Sequence, residues 1–219
     1  LLGVVLVAGS MSLSDIVKSQ ALPFLLVQPL PMFVFLAGVS AELNRTPFDV
    51  AEAESELVAG YHTEYSGVKF ALIQAAEFGG VVTASMVVVT LFLGGWAGPL
   101  SDYLGWLWFL LKVGVIAFLF IWVRATYPRL RIDQLLAFAW KFLLPLSLIN
   151  LFATALEVFF LRDSMGVLTT NDLWIMTGIN LALGAVCIAL FGMMIREKIR
   201  PVTWESTTRT AGMTVGEVA

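Results

Sequence analysis

"KFALIQAAEFGGVVTASMVVVTLFLG", residues 69–94, holds one charged residue, Glu77, between its leading Lys69 and the Gly94 that ends it. A helix needs about 20 mostly apolar residues to cross roughly 30 Å of hydrocarbon. This stretch is long enough, and apolar around its whole circumference, which argues against an amphipathic helix lying on a membrane surface. It stops in "LFLGGWAGP", residues 91–99, where paired glycines and a proline punctuate the chain. The segment therefore predicts a transmembrane helix, and the rest of the chain can be counted in the same unit.

Composition agrees with that unit. Apolar residues make up 59% of the 219 and charged residues 13%, against about 45–50% and roughly 25% in soluble domains. The mean hydropathy is +0.88. Outward from 69–94, further apolar segments lie at about 1–13, 22–41, 103–124, 136–161 and 173–195, which predicts an all-α, polytopic bundle of about six spans in one membrane domain, 1–219. The opening "LLGVVLVAGS" has neither Met nor a charged leading region, so it is not a signal peptide but reads as a membrane helix joined partway. In 22–41, Pro23, Pro29 and Pro31 predict kinks, which a bundle tolerates when neighbours re-satisfy the backbone. Residues 201–219 form a polar, Thr/Gly-rich tail without a clear pattern.

The lysines and arginines divide unevenly between the two sides. Arg45, Lys69, Arg124, Arg129, Arg131, Arg196, Lys198, Arg200 and Arg209 fall on one side, Lys18 and Arg162 on the other. By the positive-inside rule the first side is cytoplasmic. That places the connection 42–68 and the tail 196–219 in the cytoplasm. A net charge of −3 leaves no basic footprint for nucleic acid. The single cysteine, Cys187, cannot close an internal disulfide. With His62 the only histidine, no Cys/His spacing for zinc or an iron–sulfur cluster exists, so no metal site is expected.

The connection itself is unusual. "AELNRTPFDVAEAESELVAGYHTEY", residues 41–65, gathers Glu42, Asp49, Glu52, Glu54, Glu56 and Glu64 against Arg45 alone. It predicts a short helix: Thr46 as N-cap, Pro47 at the first position, Asp49 at capping-box spacing and Gly60 just past the end. At 100° per residue Asp49, Glu52 and Glu56 share a face, whereas Glu54 falls within the apolar stripe of Val50, Ala53, Leu57 and Val58. The first three acids fit a solvated face equally well. Glu54 must find a partner or hold its proton, because a carboxylate on a packed face is otherwise too costly. His62, just beyond, fits an ordinary structural hydrogen-bonder.

Charges also lie within the spans. Glu77 is about 12 Å inside its helix at 1.5 Å per residue, and Lys112 is near mid-membrane. Intramembrane ionisable groups avoid lipid and default to a functional expectation; helix pairing is the alternative. Lys141 and Glu157 lie nearer the ends of their span and are expected to snorkel to the interfaces. Gln74, Asn150 and Asn180 are expected to join helices. The resulting picture is a carboxylate-rich cytoplasmic entrance leading inward through Glu77 toward Lys112.

"AELNRTPFDVAEAESELVAGYHTEYSGVKFAL", "LFLGGW", "RATYPRLRIDQLL" and "WKFLLPLSLIN", in that order, resemble the heel subunit of the membrane arm of respiratory complex I, the H-type subunit of bacterial NADH:quinone oxidoreductase and its mitochondrial counterpart. The likeness covers about residues 1–160, and the family usually extends further at its N-terminus by about three spans and part of a fourth. It implies a proton-translocating oxidoreductase subunit of the inner (cytoplasmic) membrane. That subunit lines the quinone chamber beside peripheral-arm and neighbouring membrane subunits, and binds no cofactor itself. Quinone is the substrate; flavin and iron–sulfur clusters belong to partners. Carried over by position, the resemblance gives Glu52, Glu54, Glu56, Glu64 and Glu77 as coupling groups, to which the intramembrane position of Lys112 adds a sixth, and it makes the connection with Arg45, Phe48, Asp49, Glu54, Glu56 and His62 the candidate quinone-site segment. The equivalent subunit of a membrane-bound hydrogenase, or of a ferredoxin- or deazaflavin-linked oxidoreductase, is the alternative. A stand-alone ion transporter would need internal repeats that the sequence lacks.

Overall fold

The computed structural model describes residues 1–45, 48, 64–127, 132–161 and 170–198. Among them every regular element is helical, as the sequence predicts. Residues Leu1–Leu181 form one compact unit; from Ala182 onward lies a second, whose described part is the helix running to Lys198. The predicted helix beginning at Thr46, with Asp49, Glu52, Glu54, Glu56, Gly60 and His62, lies outside the described residues, as do Arg129, Arg131, Arg162 and the tail 201–219.

Two of the described helices are unbroken and long and apolar enough to cross a membrane: α5, Val68–Phe92, and α6, Ser101–Thr126. A short connection joins them, and they pack against each other. A third apolar stretch, Ile132–Leu161, contains α7, Ile132–Phe138, a π-turn over Ala139–Leu143, and α8, Leu144–Leu161. The turn has a local cause. Pro145 has no N–H to give the carbonyl of Lys141, and the ladder widens just before it, Leu144 N–H bonding back to Ala139.

The N-terminal segments are broken. α1, Leu2–Ala8, ends at Gly9, whose φ of 70° stops the helix in the left-handed region. α2, Leu13–Ser19, follows at 63°. The prolines of the second segment act as expected: the chain leaves helical geometry at Gln28, separating α3, Phe24–Val27, from α4, Pro29–Glu42. α4 has 14 residues, about 21 Å, too short to span alone. Finally α9, Thr170–Lys198, is one continuous helix.

Among the described residues three helical stretches are thus long and apolar enough to cross a membrane, or four if α1 and α2 make one bent span. α1 lies against α8, α2 against α5, and α4 between α5 and α8. The shared core is aliphatic and aromatic, with Val4, Phe24, Val27, Val88, Val89, Phe92, Ile116, Val158 and Met176 buried together. Large apolar side chains also face outward, among them Leu110, Phe118, Trp122, Phe152 and Phe159. Apolar surface on both sides of a helix suits hydrocarbon or a partner subunit, not water.

Candidate functional site: charges held inside the bundle

The first polar junction lies where α4 ends. Asn44 takes a left-handed turn, φ 48°, and Arg45 N–H bonds back to Ser40. This swings the Arg45 side chain into the protein, where it is buried. There its Nη2 stands 3.8 Å from Glu77 Oε2 of α5, an ion-pair distance too long for a hydrogen bond. The guanidinium also lies over the Phe78 ring, 5.1 Å from the centroid, where the ring's negative face attracts it. Close by, Gly80 of α5 faces Leu43: a Cβ there would come within 2.8 Å of Leu43 Cδ2, the movable end of that side chain. Phe48, also buried, donates its N–H to the Arg45 carbonyl and stacks on Phe138 of α7 at 6.2 Å. The segment leading into the acidic run is therefore pinned between α5 and α7. Glu64 and Tyr65, at the far end of that run, are exposed.

The second junction is at the other end of α5. A helix leaves its last carbonyls without intrahelical donors, and inside a membrane each must be satisfied by protein. Here two side chains supply the donors. Gln20 Nε2 donates to Thr90 O at 3.1 Å and to Leu91 O at 2.9 Å. Lys112 Nζ, from the middle of α6, donates to Leu93 O at 2.7 Å, Gly95 O at 3.1 Å and Ala97 O at 2.7 Å. All three ammonium protons are used, and the charge sits at the negative end of the α5 dipole. Gly95 must be glycine twice over: its φ is +50°, and a Cβ would meet Val17 of α2 at 2.8 Å.

A third polar group lies on α8. Asn150, Thr154 and Glu157, spaced i, i+4, i+7 on one face, are all buried, as is Asn180 of α9. Asn180 Nδ2 donates to Glu157 Oε2 at 3.0 Å and to Met176 O at 3.1 Å. Asn180 thus joins helices as the sequence predicts, but Glu157 does not snorkel: only 6% of it is exposed. Four residues from the end of α8 looked close enough to an interface, and α9 covers it instead. The sequence signal that could have found it is the polar spacing 150/154/157.

Of the expected site residues, the fold brings Arg45, Glu77 and Phe48 into one neighbourhood. It sets Lys112 apart, because Leu93 is sixteen residues beyond Glu77, about 24 Å along α5. Among the described residues no three His, Cys, Asp or Glu side chains gather as metal ligands.

These features define a multi-pass helical membrane protein that keeps charged groups inside its bundle. The chain belongs to the NADH dehydrogenase family, whose model matches residues 1–155. Curated relatives agree. It is 52% identical over 191 residues to the H-type subunit of NADH-quinone oxidoreductase from Dehalococcoides mccartyi strain 195, covering 87% of this chain and 52% of that one. It is 54% identical over 159 residues to the corresponding subunit from Geobacillus kaustophilus, covering 70% and 47%, and 53% identical over 153 residues to that from Syntrophotalea carbinolica, covering 69% and 46%. The chain spans about half the length of the curated relatives it matches.

Proposed function

We propose that this chain works as the H-type membrane subunit of a proton-translocating NADH:quinone oxidoreductase in the cytoplasmic membrane. In this reading 1–219 is a single membrane domain of about six spans, with the connection 42–68 and the tail 196–219 in the cytoplasm. The connection lines a quinone chamber shared with peripheral-arm subunits, which hold the flavin and iron–sulfur clusters. The observation that carries the reading is the buried Arg45 at 3.8 Å from the intramembrane Glu77, at the residue where the acidic run begins. An ion pair there gives that run an electrostatic connection to the interior of the bundle.

Quinone reduction takes two electrons and two protons, and its intermediates are negative. A negative charge beside Glu54, Glu56 and Glu64 disfavours their ionisation, so they take up protons as the quinone is reduced. Asp49, Glu52 and His62 complete the polar lining, and Phe48 holds its start against α7. A changed charge in the run alters the balance between Arg45 and Glu77, and Glu77 passes the change into the membrane. The chain's part is positioning and electrostatics; the redox chemistry belongs to quinone and the partners' centres. Lys112 serves at the opposite end of α5 by holding the backbone through which α5 turns into α6.

The test is to introduce Glu54→Gln and Glu77→Gln separately into the assembled complex. Each should leave assembly intact and lower coupled proton translocation, with Glu54→Gln also slowing quinone reduction. Wild-type rates of both processes in both variants would overturn the reading.

A further inference from the structure

Outside the Arg45–Glu77 junction, the α8 face from Asn150 to Glu157 carries a polar imbalance. Four oxygens are buried with no hydrogen-bond donor among the described residues: Gln28 Oε1, Asn150 Oδ1, Glu157 Oε1 and Asn180 Oδ1. Gln28 and Asn180 are fully buried, Asn150 is 5% exposed and Glu157 6%. Three donors of the same group are engaged elsewhere. Gln28 Nε2 donates to Gly3 O, Asn180 Nδ2 to Glu157 and Met176, and Thr154 Oγ1 to the carbonyls of Asn150 and Leu151. Gly3 draws two of these groups together, since a Cβ on it would lie 3.5 Å from Gln28 Oε1 and 3.6 Å from Thr154 Oγ1. Nor is Glu157 in an ion pair with any described cation.

An acceptor buried in a low-dielectric bundle without a donor keeps its whole desolvation penalty. What removes that cost without a new side chain is a molecule that donates two hydrogen bonds and accepts others. A buried water typically makes about three such bonds to groups of this kind. The three α8 positions rise about 10 Å along one helix face, room for more than one water in line. At the Asn150 end the seam meets a cavity of about 690 Å³, lined by Asn150, Ser147, Gly3 and Glu42 among others. At the opposite end it meets the one carboxyl of the set. We propose that this seam binds a file of water molecules running from the cavity past Asn150 and Thr154, and that the file delivers protons to and from Glu157.

The proton path rests on the function proposed above; the hydration does not. The first readout is an experimental map of the assembled complex sharp enough to show ordered water. Density within hydrogen-bonding distance of Asn150 Oδ1, Gln28 Oε1 and Glu157 Oε1 is expected. A dry seam, or donors from a neighbouring subunit on those oxygens, overturns it. The second readout is proton translocation per quinone reduced in Glu157→Gln, which keeps an oxygen for the Asn180 amide to donate to. Loss of coupled translocation, with quinone reduction retained and with recovery in Glu157→Asp, is expected. An unchanged ratio overturns the proton path. If the wild-type complex does not reduce quinone at all, the proposed function fails instead, and the map still decides the hydration.

Discussion

Two cations are held at opposite ends of α5, and they are held by different chemistry. Arg45 faces a carboxylate, Glu77, whose charge changes when it gains or loses a proton. Lys112 faces three backbone carbonyls, which cannot titrate. An ammonium whose donors all end on fixed dipoles is a fastener, whereas a guanidinium beside a titratable acid is one half of a balance. Both looked alike as isolated charges in an apolar sequence. What separates them is the partner, and the partner decides whether the charge serves shape or signal.

The comparison breaks most readily at Lys112. Replacing it with Met leaves three carbonyls without donors at the turn between α5 and α6, and should destabilise the subunit by on the order of 4 kcal/mol. The amount of assembled complex and its thermal midpoint should both fall steeply. Lys112→Arg should recover only part of this, because a planar fork does not match three oxygens converging on one point. Next is Arg45→Met, which removes the buried cation 3.8 Å from Glu77 and should cost about 2 kcal/mol. Adding Glu77→Gln to Arg45→Met should return part of that loss, and a thermal-midpoint cycle over the four proteins would measure it. No return would show that the two side chains do not interact. Gln20→Leu should cost about 2 kcal/mol by freeing the Thr90 and Leu91 carbonyls, with no change in proton translocation per electron in the complex that assembles. Gly80→Ala, which moves only the end of the Leu43 side chain, should change stability by less than about 1 kcal/mol, the gain in helix propensity offsetting the contact.

Much of the scaffold was legible because membrane helices announce themselves locally. The stretches predicted at 69–94 and 103–124 appear as Val68–Phe92 and Ser101–Thr126, with ends shifted by two residues or so. The prolines of 22–41 foretold a break, but not that Gln28 would leave the helix and α4 would remain too short to span alone. Side-chain partners were harder, because they are set by contacts distant in sequence. Nothing near Lys112 names the carbonyls of Leu93, Gly95 and Ala97 as its acceptors, and nothing near Glu157 names Asn180, 23 residues on. Arg45 and Glu77 could each be marked as unusual, but their meeting follows a left-handed turn at Asn44 that nothing in the local sequence announces.

The most direct test of the distinction is a redox-induced infrared difference spectrum of the assembled complex, taken between its quinone-oxidised and quinone-reduced states. The account predicts a carboxyl signal that accompanies quinone reduction, disappears in Glu77→Gln and persists in Gln20→Leu. A spectrum that Glu77→Gln leaves unchanged would contradict it, and Arg45–Glu77 would then be a fastener of the same kind as Lys112.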